Sequence, residues 1–370
     1  MKNIMKIVFA LLASVSLISS VSAGELTVTG TAKATYNIVS GGSQGANKAK
    51  AIGIANEIDF GAKGELDNGW SWNYQVQFDP GEGNAATVGT SGNGNIDDTS
   101  LTLTTNFGTL GIFVSEGGLD VDNAASASVY GRPTDLGIST GIADGPGIDG
   151  FNNIQYHLPA GVLPFGTTFK AAYATGQQSA MNSANADGTT TNEFGNAAEQ
   201  YQLTVSPIDG LKVMADYYRE SGAGKGGVEN VVQEFEAGSL AASYTAGPAK
   251  FGISRTLRAP LILSTAATET KISNTGTDEK NEDSARLYTS NKYSVAFNVN
   301  ENLSLSYEVE KSERELIVNA AENDLKAQAI QAAYTMGGMT LAVSHSQIDN
   351  RGYTLNDDTE QTLFAVTMAF

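Results

Sequence analysis

Five aspartates, Asp120, Asp122, Asp135, Asp144 and Asp149, crowd the stretch 117–150, GGLDVDNAASASVYGRPTDLGISTGIADGPGIDG. Two pieces of it, DVDN at 120–123 and DGPGIDG at 144–150, have some of the oxygen ligands that Ca²⁺ takes. Neither has the spacing of an EF-hand loop, so solvated loop acids are the plainer reading and no cofactor is called for. His157 and His345 are too few and too isolated for a metal site. No G-x-S-x-G, G-x-x-x-x-G-K-[ST] or H-E-x-x-H occurs, and no enzyme is expected. What remains for the acids is a field acting on passing solutes. The elements that would hold them decide whether that field has a purpose.

The chain starts with a basic pair, Lys2 and Lys6, then an apolar run Ile7–Ile18, then SSVSA ending at Ala23. These are the three parts of a secretory signal peptide, and the run is too short to span a bilayer. Residues 1–23 are therefore expected to be removed, leaving one domain over 24–370 that starts at Gly24. With 40 acidic against 22 basic residues, the formal charge is −18. Such a charge argues against nucleic acid as a partner and suits small solutes and cations. Cysteine is absent, so an exported chain of this size is no disulfide scaffold. Glycine is abundant at 41 and proline scarce at 8, a composition for an all-β chain rich in turns.

Alternation with period 2 dominates. In WSWNYQVQFD, Trp70, Trp72, Tyr74, Val76 and Phe78 alternate with Ser71, Asn73, Gln75, Gln77 and Asp79. Similar runs predict strands at 25–38, 51–66, 70–79, 98–106, 109–116, 151–158, 167–176, 199–206, 211–219, 234–246, 249–258, 285–299, 303–311, 326–336, 339–347 and 359–370. Short turns such as LDNGW alternate with long polar loops, of which 117–150 is the longest. Strands of about ten residues with loops of two sizes fit a transmembrane β-barrel. Sixteen strands leave a water-filled channel. A soluble sandwich would also alternate, but the apolar stripes here are flanked by aromatics and the polar faces are too wet for a core.

The last residues, QTLFAVTMAF, place Phe364, Val366, Met368 and Phe370 on one face. Only closure removes sheet edges in a membrane, so this strand should pair with the first and turn that face to lipid.

With the leader, the opening ELTVTGTAKATYNI, the loop rhythm and the terminal alternation, the whole exported chain resembles the Gram-negative general porins, closest in style to those of alphaproteobacteria. The resemblance implies a homotrimer in the outer membrane, recognition of the terminal Phe by the barrel-assembly machinery, and a third loop folded into the barrel as an eyelet. That loop would be 117–150. The PEFGG stretch of enteric members is missing from it. The resemblance also implies basic residues on the wall opposite the loop acids, across a narrow aqueous gap. Face parity offers Lys33 and Lys292, and Arg286 if its strand carries a bulge.

Lumen-parity acids, Glu57, Asp59, Asp79, Glu308 and Glu310, outnumber these bases, so a mild cation preference is expected. The function implied is passive diffusion of small hydrophilic solutes and ions. A substrate-selective channel, marked by an arginine or aromatic ladder in the lumen, and a surface β protein without a pore are the alternatives. Acidic outer loops could also meet lipopolysaccharide through divalent ions.

Overall fold

The computed structural model describes residues 24–41, 49–79, 95–138, 140–175, 197–221, 229–260, 262–265, 272–273, 285–316 and 322–370. The expected leader, 1–23, and the loop segments between these ranges lie outside the described residues.

The strands are β1 (Glu25–Gly41), β2 (Ala49–Glu65), β3 (Ser71–Asp79), β4 (Asn95–Thr105), β5 (Gly108–Val114), β6 (Asn153–His157), β7 (Thr168–Ala174), β8 (Ala197–Ile208), β9 (Leu211–Ser221), β10 (Glu229–Gln233), β11 (Glu236–Ala246), β12 (Ala249–Ala259), β13 (Ile262–Thr265), β14 (Ile272–Ser273), β15 (Ala285–Asn298), β16 (Leu303–Leu316), β17 (Leu325–Met336), β18 (Met339–Asp349) and β19 (Thr359–Ala369). Sixteen of them form one closed antiparallel barrel, the architecture that the alternation predicts. The other three, β10, β13 and β14, make a small separate sheet. They fall where the sequence suggests only loops, at 220–233 and 259–284. Runs of two to five residues are too short to show a period.

The two faces are inverted relative to a soluble protein. On β15 and β16, Tyr293 and Phe297 are 46% and 48% exposed, while Lys292 and Glu310 are 3% and 0% exposed. An exposed apolar belt around a buried polar interior is stable only in lipid. Exposed Tyr156, Tyr244 and Tyr334 lie near the short turns, and exposed Tyr36 and Tyr217 towards the long loops; Tyr307, expected at the long-loop rim, lies nearer the short-turn end of β16. The short turns and both barrel termini share one end. β16 runs to Leu316, past the end of its apolar alternation. Above the lipid the outward face becomes Glu313 and Glu315, so backbone pairing continues where the hydrophobic signal stops.

Closure occurs where the terminal alternation places it. β1 pairs with β19 from Thr31–Ala369 to Gly41–Thr359. The Gly30 amide then donates to the Phe370 carbonyl at 2.9 Å, and the Phe370 amide returns a bond to Gly30 at 3.0 Å. The Phe370 ring covers Gly30 so closely that a Cβ there would lie 2.7 Å from it. Gly30 is the gap in the outward stripe of β1, and the last side chain fills it.

Candidate functional site

Between β5 and β6 the chain turns at Gly117, with φ of 84°, and the connection 115–152 passes along the inner wall. A loop inside a barrel must have its backbone groups satisfied there. The lumen face supplies short polar side chains for this. Gln202 on β8 donates to the Leu119 carbonyl at 3.0 Å, and Ser254 on β12 donates to the Asp122 carbonyl at 2.5 Å. Ser294 on β15 accepts from the Ala127 amide at 2.9 Å, and Ser306 on β16 accepts from Val129 at 3.0 Å. Gln331 on β17 and Gln361 on β19 donate to the carbonyls of Gly131 and Leu136. On the way back, Ser290 donates to the Ala143 carbonyl at 3.0 Å, and the Ile148 amide donates to Gln200 at 2.8 Å. The loop is thus fastened to a wall running from β8 to β19.

Charges lock its centre. Lys292 Nζ lies 3.1 Å from Asp122 Oδ2 and 2.6 Å from Asp144 Oδ1, and also donates to Asn123. Arg132 pairs with Asp135 at 2.7 Å, Asp144 at 3.1 Å and Glu310 at 3.3 Å. Glu308 accepts from Ser126 and Ser128 at 2.5 and 2.6 Å. Burial opposes charge on Asp144, but Lys292 and Arg132 hold its carboxyl below the usual carboxylate range. Burial opposes the Arg132 cation too, and Glu310 and Asp144 hold it above its ordinary value. A buried network of this kind contributes little net stability against an apolar packing. It fixes one arrangement, because any other leaves a charge unpaired.

Three of the sequence-predicted residues, Lys292, Asp122 and Asp144, therefore meet in direct contact, without an aqueous gap. Asp135 joins them through Arg132. Asp120 and Asp149 lie at the start and end of the loop, each with a carboxylate oxygen 3.0 Å from where a Gly118 Cβ would sit. Burial pushes the Asp120 carboxyl up to about 7, helped by the charges of Asp122 and Asp149. The neighbouring Asp122 Oδ1 is buried with no hydrogen-bond donor among the described residues, and the neutral form of Asp120 can supply one.

Lys33 and Arg286 stand apart from this cluster. Lys33 is exposed on β1 beside exposed Glu57 on β2, and Thr27, Thr29 and Lys63 on the same face are exposed too. Arg286 sits at the bulge between Ala285 and Leu287, at the long-loop end of β15, and pairs with Glu315 on the outward face. Glu308 and Glu310, expected as free lumen acids, are buried beneath the loop because its hydroxyls and Arg132 cover them. The Asp79 side chain lies outside what is described.

A loop strapped to the inner wall of an inside-out, sixteen-stranded barrel narrows its bore, which is the geometry of a pore protein. The sequence profile described as Gram-negative porin matches residues 8–261. The chain belongs to that family. Among solved structures, this porin resembles the anion-selective porin from Comamonas acidovorans, at a TM-score of 0.65 and 13% identity, over 94% of this chain and 100% of that one. OmpF of Salmonella typhi, solved with daunomycin, gives 0.64 and 14% over 94% and 98%. OmpT of Vibrio cholerae, in a trimer form, gives 0.57 and 14% over 94% and 100%. At such identities the likeness is one of fold. No curated protein matches the sequence.

The sequence reading of this porin missed Arg132, Asp216 and the glutamines that hold the loop. Arg132 carried a signal, as the one base in 117–150 among five acids. Asp216, which accepts from the Val121 amide at 3.2 Å, did not, because lumen parity alone cannot separate a wetted acid from a covered one.

Proposed function

We propose that this porin is a channel for passive diffusion of small hydrophilic solutes and ions, with the loop 117–150 as its constriction and a mild preference for cations. The observation that carries the reading is the one-sided strap. The loop is pinned to the β8–β19 wall while Thr27, Thr29, Lys33, Glu57 and Lys63 on the lumen face of β1 and β2 remain exposed, which supports an aqueous path on that side. Asp149 and, above about pH 7, Asp120 are loop acids left outside the ion pairs, and Glu57 lies exposed beside Lys33 on the open wall, so above that pH the unneutralised charge along the path is mostly negative. Carboxylates in a low-dielectric ring concentrate cations. The fold performs no chemistry in this reading, and no enzyme activity is proposed.

The same reading has the leader 1–23 cleaved after Ala23 on export. The barrel works as a homotrimer, in keeping with the trimer form of the V. cholerae relative. The outward stripe of Phe364, Val366, Met368 and Phe370 is the handle for the barrel-assembly machinery, and the acidic outer loops face lipopolysaccharide.

The test is the zero-current potential of the purified channel across a planar bilayer in a KCl gradient. A potential of the sign given by K⁺ permeation supports the reading. Anion preference would overturn the selectivity, and absence of conductance would overturn the channel.

A further inference from the structure

The chain contains seven arginines, all on described segments. Arg132, Arg219, Arg286 and Arg351 each pair with a carboxylate. Arg255 has outward parity on β12. Arg258 and Arg314 differ from all of these. Both have lumen parity, and neither forms an ion pair with a described residue. They also stand in register: Arg258 on β12 is opposite Tyr288 on β15, and Tyr288 is opposite Arg314 on β16.

Each guanidinium rests on an aromatic ring. Arg258 lies 5.2 Å from the centroid of Phe235, and Arg314 lies 5.1 Å from that of Tyr353. The Tyr353 ring is itself fixed, 5.6 Å from Tyr288 and with its hydroxyl 2.7 Å from Ser312. Stacking of this kind orients a guanidinium and leaves its edge free to bind. Among the described residues, the buried Nε atoms of both arginines have no acceptor, and Arg258 donates to the Asp144 carbonyl alone, at 3.4 Å. The acid nearest in effect is Glu220, which lies within Coulombic reach of Arg258 but is engaged by the Tyr218 hydroxyl at 2.7 Å. Among the described residues neither guanidinium has a carboxylate in ion-pair contact, so the two oriented cations are suited to an anion.

We propose that the Arg258–Tyr288–Arg314 row binds a small organic dicarboxylate on the long-loop side of the strap. The two arginines are two strands apart, so their backbones are separated by roughly 10 Å. That span suits a solute whose two carboxylates reach one guanidinium each while its body crosses Tyr288. The row lies four residues outward of the Lys292–Glu310 pair, or about 13 Å along the strands. A solute entering from the long loops meets it before the constriction. The subsite rests on the channel reading only for how its ligand arrives. It makes the pore selective for one class of anion within a mild cation preference.

The experiment adds glutarate to the long-loop side of single channels and measures the concentration that half-blocks the current. Butyrate, with one carboxylate, and uncharged glutaramide are the comparison solutes. Glutarate should block with saturation and at least about tenfold more strongly than butyrate, with glutaramide inert. Arg258→Gln and Arg314→Gln should each weaken it about tenfold or more, the scale of one charge-assisted hydrogen bond. Equal block by glutarate and butyrate, or unchanged block in both variants, overturns the proposal. Calorimetric titration of glutarate into the folded, detergent-solubilised barrel reads the same site without conduction. Binding that depends on both arginines in a chain that does not conduct would leave the subsite and remove the channel reading. Conduction without glutarate binding would do the reverse.

Discussion

At the scale of single residues, Lys292 does the most. It is buried among Asp122, Asp144 and Glu310, so its removal strands carboxylates that have no water to turn to. Breaking a buried pair from one side costs about 3–5 kcal/mol. Lys292→Met is expected to lower barrel stability on that scale, or to release the loop and make it a protease target. Reversible unfolding in lipid vesicles and limited proteolysis distinguish the two. Adding Asp122→Asn should recover part of the loss. Lys33→Met, at an exposed site, should stay within about 0.5 kcal/mol of the parent. Asp120 supplies a pH dependence. Its carboxyl is raised to about 7, so it is neutral below that pH and negative above it. Cation preference should therefore fall as pH drops through about 7, and Asp120→Asn should abolish that step in the zero-current potential.

At the scale of elements, each strand is a sheet between two solvents. Lysine placed at Phe297 or Leu305, on the lipid face, is expected to cost about 2–4 kcal/mol near the bilayer midplane, and lysine at lumen-facing Gln75 far less. Equal costs in vesicle unfolding would contradict the face assignment. Phe370→Asp should uncover Gly30, put a charge at the closing seam and cut the yield of folded barrel in cells; normal yields would refute the seam. The strands were legible in the sequence because lipid and water impose period 2 on nearly every run, as in Tyr293–Ser294–Val295–Ala296–Phe297. The outer end of β16 was not, because Glu313 and Arg314 face water on both sides and alternation carries no signal there. The strap was half legible. Its length and its acids marked it, but the partners that hold it come from strands up to 225 residues away, as Gln361 does for Leu136. No local spacing encodes such a contact.

At the scale of the whole molecule, the proposed constriction is a segment that closure of the barrel does not require. β5 and β6 pair directly, from Thr109–His157 to Phe113–Asn153, whatever the 115–152 connection does. The strap takes up one side of the bore and leaves the β1–β2 side open. Neutralising Asp120, Asp122, Asp135, Asp144 and Asp149 together to Asn should move the zero-current potential towards anions. The shift should shrink in strong salt, as the Debye length falls from about 10 Å at 0.1 M to about 3 Å at 1 M. The most direct measurement is single-channel conductance after residues 120–147 are replaced by a short Gly-Ser link. If the strap sets the aperture, the shortened chain should still fold to a heat-resistant barrel, and its conductance should rise well above the parent's. A folded barrel with unchanged conductance would contradict the strap as the constriction.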